Sequence, residues 1–144
     1  MTQLLPRALV AILLALLGVS IMSLVVIVAL VGFPSDPAKL ATFQMRAAPF
    51  TPQVDLIIGG LVLLACGWWA GRPFARPLAL RAGLAVGLGY IAVEVAIAVL
   101  RSGLVAIDWQ PTLISFTVKI VAALAGGWLA GGPAAPDPVP LDPE

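Results

Sequence analysis

The stretch ALVAILLALLGVSIMSLVVIVALV, residues 8–31, contains no charged residue. A helix needs about 20 apolar residues to cross the hydrocarbon core of a bilayer, and this stretch is longer. Three further, predominantly apolar runs follow it at Val54–Gly71, Leu78–Leu100 and Thr112–Gly131. The sequence therefore predicts an all-α integral membrane protein in which residues 1–132 form a bundle of four transmembrane helices.

The composition of the 144-residue chain supports this class, with 61% apolar and 10% charged residues. A soluble domain usually has about 25% charged residues to cover its surface. The net charge of +1 offers no basic field for a nucleic acid, so we expect none as a partner. Histidine is absent and Cys66 has no second cysteine to pair with, so we expect no metal site and no other cofactor.

The segments between and after the spans give two local predictions. Ser35-Asp36-Pro37 is typical of a helix start, and the residues after it place Leu40, Phe43 and Ala47 on one face. We therefore expect a short interfacial helix in the first outer loop, with an irregular loop as the alternative. Residues 133–144, rich in proline and acids, are expected to form a disordered cytoplasmic tail.

The orientation is predicted from the basic residues near the ends of the spans. Arg72, Arg76 and Arg81 surround one short connection, and Arg7 belongs to the same side. Lys39, Arg46 and Arg101 lie on the other side, so the positive-inside rule places both termini in the cytoplasm by four to three. Trp68, Trp69 and Trp128 then fall at the inner interface, where these tryptophans and arginines fix topology or contact lipid. Six arginines against two lysines, with abundant Ala, Gly, Pro and Val, favour a bacterial source and so a bacterial cytoplasmic (inner) membrane as the location.

A repeated pattern links the second and fourth spans. Gly67-Trp68-x-Ala70-Gly71-x-Pro73 recurs as Gly-Trp-x-Ala-Gly-x-Pro over residues 127–133, 60 positions later. The repeat suggests two related helical hairpins, although spans 1 and 3 align poorly. Convergence on an interfacial tryptophan beside small packing residues would give the same pattern.

Glycines spaced four residues apart mark one packing surface in each of the last three spans. Such GxxxG motifs let helix backbones approach closely, and here all of them lie in the predicted inner half. We expect the bundle to be tightest there. The six helix-packing residues are Gly67, Gly71, Gly83, Gly87, Gly127 and Gly131.

Two charged residues lie deep inside the third and fourth spans. Glu94 and Lys119 are each seven residues from the outer end of their helices, which puts them at the same depth, about 10 Å below the surface. An unpaired charge near the bilayer centre costs at least about 2.5–3.5 kcal/mol, so we expect an ion pair. Tyr90, Ser115 and Arg101 lie on the same polar stripes and are expected to support it.

This pair has two interpretations. It fixes helix register in a non-enzymatic protein that acts as an accessory subunit of a larger membrane complex or as a homo-oligomer. Alternatively, Glu94 carries a proton or cation in a small transporter or channel, with Lys119 as its internal counter-ion. An enzyme is the least favoured class, because the sequence shows no nucleophile with a base, no paired carboxylates within reach and no phosphate-binding loop.

Overall fold

The computed structural model contains five helices, and the all-helical prediction is confirmed. It describes residues 3–33, 36, 39–103 and 108–132. Four of the helices are long and apolar enough to cross a membrane, and the fifth is short. In chain order they are α1 (Leu4–Val31), α2 (Leu40–Ala47), α3 (Thr51–Gly71), α4 (Arg76–Ser102) and α5 (Trp109–Ala130).

Each long helix begins earlier than the apolar run it contains. Pro52 and Pro77 lie in the first turns of α3 and α4, rather than before them. Proline is favourable there, because its fixed φ suits a helix and the first N–H groups have no partner within the helix. The helix that contains the second predicted span therefore begins at Thr51, and Asp55 lies one turn inside it.

The short helix α2 lies in the first connection, where an interfacial helix was expected, but it begins at Leu40. Ser35 and Pro37 of the expected cap lie outside the described residues. So do residues 133–144, with the predicted tail and the Pro133 of the repeated pattern.

The four long helices form a bundle in which α3 and α4 each contact both α1 and α5. The short connection between α3 and α4 brings one end of the bundle together, and there Arg76 N donates a hydrogen bond to the Gly132 carbonyl at 3.1 Å. We call this end the arginine end, because Arg7, Arg72 and Arg76 lie there, and the opposite end, near α2, the carboxylate end.

The helix α1 is packed against the bundle through a stripe of small residues. Ala8, Ala11, Ala15 and Val19 recur at helical spacing and are buried, whereas the leucines on the other faces of α1 are exposed. The sequence suggests a packed unit of spans 2 to 4 with a lipid-facing or peripheral first span, but α1 packs against both α3 and α4. Hydropathy does not show this, because α1 is apolar on every side.

Glycines pack the middle and the arginine end of the bundle. A Cβ at Gly67 would overlap the Ala123 carbonyl of α5, and one at Gly126 would overlap the Leu64 carbonyl of α3. Gly83 and Gly127 bring α4 and α5 together in the same way, Gly71 and Gly131 pack near Ala79, and Gly87 lies against Ile120. All six predicted packing glycines thus contact another helix of the same chain.

Candidate functional site

The buried lysine of α5 is the centre of the candidate site. Lys119 has no exposed surface, and its Nζ lies 2.8 Å from Glu94 Oε1 on α4. A second carboxylate completes the cluster, because Asp55 Oδ2 on α3 lies 2.8 Å from the same nitrogen. We call Asp55, Glu94 and Lys119 the carboxylate–lysine cluster. It connects three helices, where the sequence predicted a pair between two.

A glycine of α3 makes room for the lysine side chain. Gly59 lies one turn after Asp55, and a Cβ at this position would be 2.7 Å from Lys119 Cε. The aliphatic part of Lys119 therefore crosses α3 at a residue without a side chain. The ammonium group then reaches Asp55 on the same helix and Glu94 across the bundle.

We expect Gly59→Ala to lower the stability of the protein by roughly 1–3 kcal/mol, because the new methyl group must push a lysine that is held at its other end. The neighbouring Gly60→Ala is the matched control, since its Cβ would lie at an ordinary 3.6 Å from Val118. Thermal unfolding of both variants in mild detergent measures the difference. Equal unfolding temperatures would contradict the packing described for Lys119.

Of the three predicted supporting residues, two contact the carboxylate–lysine cluster. Ser115 donates a hydrogen bond to Asp55 Oδ2 at 3.1 Å, and Tyr90 places its ring 5.3 Å from Lys119 Nζ. The tyrosine thus contributes a cation–π contact. Arg101 forms no ion pair with any residue that the structure describes.

Asp55 is the residue of the candidate site that the sequence did not predict. Glu94 was the only acid expected beside Lys119, and the statement that no two carboxylates lie within reach is wrong. The available signal was its spacing, because Asp55 precedes Gly59, Leu63 and Gly67 at intervals of four and so continues the buried stripe of α3. Four-residue spacing puts side chains on one face of a helix.

Two cavities reach the carboxylates from opposite sides of the bundle. The first, of about 440 Å³, lies between α1, α3 and α4, and we call it the α1-side cavity. Its lining includes Asp55 and Glu94 of the cluster, together with Arg101. Four hydroxyl-bearing residues also line it: Ser20, Ser23, Thr51 and Tyr90. Ser23 Oγ is buried and has no hydrogen-bond partner among the described residues. This cavity therefore offers a polar approach to the cluster.

The second cavity, of about 500 Å³, lies between α3 and α5, and we call it the α5-side cavity. Its lining combines apolar side chains such as Leu56, Ile114 and Phe116 with the carboxylates of Asp55, Glu94 and Asp108. Asp108 also caps α5, because its side chain accepts a hydrogen bond from Gln110 N at 3.3 Å. The two carboxylates of the cluster are about one-third exposed, whereas Lys119 is enclosed between them.

The predicted arginines and tryptophans come together at the arginine end. The guanidinium of Arg72 stacks on Trp68 with its carbon 4.5 Å from the ring centroid, and Arg76 stacks on Trp128 at 5.2 Å. Arg7 stacks on Trp69 in the same way at 5.6 Å. Arg81 is exposed on α4 and makes none of these ring contacts. The indole rings of Trp68, Trp69 and Trp128 remain partly exposed.

Within the described residues, no group of three His, Cys, Asp or Glu side chains is placed to hold a metal ion. Comparison of the chain with protein-family models, with curated proteins and with solved structures finds no match. The function is therefore inferred from the cluster and its surroundings.

Proposed function

We propose that this chain is a multi-pass, non-enzymatic membrane protein that binds a proton or small cation at the carboxylate–lysine cluster and carries it across the bilayer. The four long apolar helices support the membrane location. The arginines and tryptophans gathered at one end support an orientation with that end, and both termini, in the cytoplasm. A bacterial inner membrane remains part of this proposal.

The observation that carries the proposal is the charge of the cluster. Two carboxylates share one ammonium group, so three ionised groups leave one negative charge in excess. Arg101 and Asp108 line the flanking cavities and have opposite charges, so counting them as well leaves the same excess of one negative charge. Because an uncompensated charge inside a membrane is costly, a bound proton or cation should balance it.

The surroundings of the cluster support exchange of that proton or cation. Both carboxylates line the α1-side cavity and the α5-side cavity. A purely structural ion pair gains nothing from such access. In this proposal Lys119 competes with the bound proton or cation for both carboxylates. The sequence predicted the same role for Lys119, as the internal counter-ion of Glu94 alone.

The second candidate is an accessory subunit or homo-oligomer in which the cluster only fixes helix packing. The three GxxxG motifs favour this candidate in the sequence, because such motifs also occur where helices of different chains pack together. These glycines contact helices of their own chain, so they give no argument for association with another chain. We therefore rank this candidate second.

The proposal predicts that the protein, reconstituted in liposomes, conducts protons, Na⁺ or K⁺ down an imposed gradient, and that Glu94→Gln and Asp55→Asn each reduce this flux to the protein-free level. Each substitution removes the excess charge and leaves Lys119 with one partner. Flux is measured with a pH-sensitive or cation-sensitive dye enclosed in the liposomes.

The matched control is Asp36→Asn, which neutralises an exposed acid in the first connection and should leave the flux unchanged. The transport proposal fails if the native protein conducts none of the three cations. It fails equally if Glu94→Gln conducts as well as the native protein.

A further inference from the structure

A small cavity at the arginine end lies apart from the carboxylate–lysine cluster. Its volume is about 270 Å³, and its lining consists of Arg7, Trp69, Arg72 and Pro73. The first of these residues is on α1, and the others follow one another around the end of α3. Two arginines from different parts of the chain therefore line one cavity.

Each guanidinium group lies over a tryptophan ring. The guanidinium carbon of Arg7 is 5.6 Å from the centroid of Trp69, and that of Arg72 is 4.5 Å from the centroid of the adjacent Trp68. A guanidinium group in such a cation–π contact still has N–H donors that can bind an anion. Neither guanidinium group forms a hydrogen bond or ion pair with any residue that the structure describes.

The surrounding charge makes this cavity a site for an anion. The four acids among the described residues are Asp36, Asp55, Glu94 and Asp108, and all of them belong to the other half of the bundle. The arginine end therefore has basic side chains with no described acid to neutralise them. Two arginines that line one cavity suit a phosphate group, whose oxygens accept paired hydrogen bonds from guanidinium groups.

We propose that Arg7 and Arg72 bind the phosphate of an anionic phospholipid headgroup. A lipid is favoured over free phosphate because the cavity is bordered by partly exposed tryptophan rings, which prefer the interface of a membrane. Leu5 and Leu9, 68% and 54% exposed, flank Arg7 on α1 and offer an apolar surface to acyl chains. This inference requires the membrane location and is independent of any transport at the cluster.

The experiment measures retention of phosphatidylglycerol and phosphatidylcholine by the delipidated full-length protein, using native mass spectrometry. The native protein should retain the anionic lipid in preference to the zwitterionic one. Arg7→Gln and Arg72→Gln should each weaken phosphatidylglycerol retention by about tenfold or more, the loss expected for one charge-assisted hydrogen bond. Arg81→Gln is the matched control, because it removes the same charge on α4 outside the cavity and should leave retention unchanged.

Two further measurements test the inference, one on lysine variants and one with inorganic phosphate. Arg7→Lys and Arg72→Lys keep the charge and should fold, but they lack the planar fork and should bind the lipid more weakly than the native protein. Retention equal to the native level in both lysine variants would overturn the inference, as would an equal loss in Arg81→Gln. Inorganic phosphate should neither displace the lipid nor stabilise the delipidated protein, and if it does both, the headgroup assignment is wrong.

Discussion

Lys119→Met is expected to be among the most destabilising single substitutions in this chain. It removes the one cation between Asp55 and Glu94 and leaves two carboxylates facing each other inside the bundle. Removing one partner of a buried ion pair costs about 3–5 kcal/mol, because the remaining charge has no compensation. The measurement is thermal unfolding of the purified protein in mild detergent, together with its yield in the membrane fraction.

The control for this prediction is the triple variant Asp55→Asn, Glu94→Gln, Lys119→Met. Replacing a whole buried ionic network with well-packed hydrophobic residues of similar volume is often neutral or stabilising, and the triple variant likewise leaves no uncompensated charge in the cluster. We therefore expect the triple variant to recover most of the stability lost in Lys119→Met. A single variant as stable as the native protein, or a triple variant worse than the single one, would contradict the cluster.

Gly67→Ala and Gly126→Ala are expected to separate α3 from α5. The new methyl groups would overlap the carbonyl oxygens of Ala123 and Leu64, which belong to helix backbones and cannot turn aside as a side chain can. Overpacking of this kind typically costs about 1–3 kcal/mol, and here we expect the upper part of that range. The loss should exceed that of Gly59→Ala, where the neighbour is the flexible stem of Lys119.

Gly60→Ala is again the informative control, because it lies on α3, faces α5 and has room for a methyl group. Alanine is intrinsically favoured over glycine in a helix by about 1 kcal/mol, so this variant should unfold at or above the native temperature. Thermal unfolding distinguishes the two classes of glycine. If Gly67→Ala and Gly60→Ala unfold at the same temperature, the close α3–α5 crossing is wrong.

The sequence predicts the number and positions of the long helices because hydropathy requires only length and composition. The sequence also predicts that Glu94 and Lys119 lie at one depth. The two helices are antiparallel, and both residues are equally far from the ends that the short connection joins. The structure places Lys119 Nζ 2.8 Å from Glu94 Oε1. The arrangement as two related hairpins stays a prediction.

The rotation of each helix about its axis is harder to predict. For this reason the sequence did not show the packed face of α1 or the place of Asp55 in the cluster. In α1 every face is apolar, so only the size pattern of Ala8, Ala11 and Ala15 shows which side is packed. Asp55 was missed for a related reason. It lies near the start of the predicted second span, where the sequence does not show which way its side chain faces, and in the helix that begins at Thr51 it faces Lys119.

The claim that the cluster holds one unbalanced charge has a direct test in the infrared spectrum of the membrane-reconstituted protein. Without alkali cations, we expect the native protein to show the C=O band of one protonated carboxylic acid within the cluster. Asp55→Asn and Glu94→Gln should each lack that band, because one carboxylate then pairs with Lys119 and needs no proton. Added Na⁺ or K⁺ removes the band from the native protein if the bound ion is that cation. A native spectrum with no such band and no response to either cation, or a band that persists in both variants, would contradict the account.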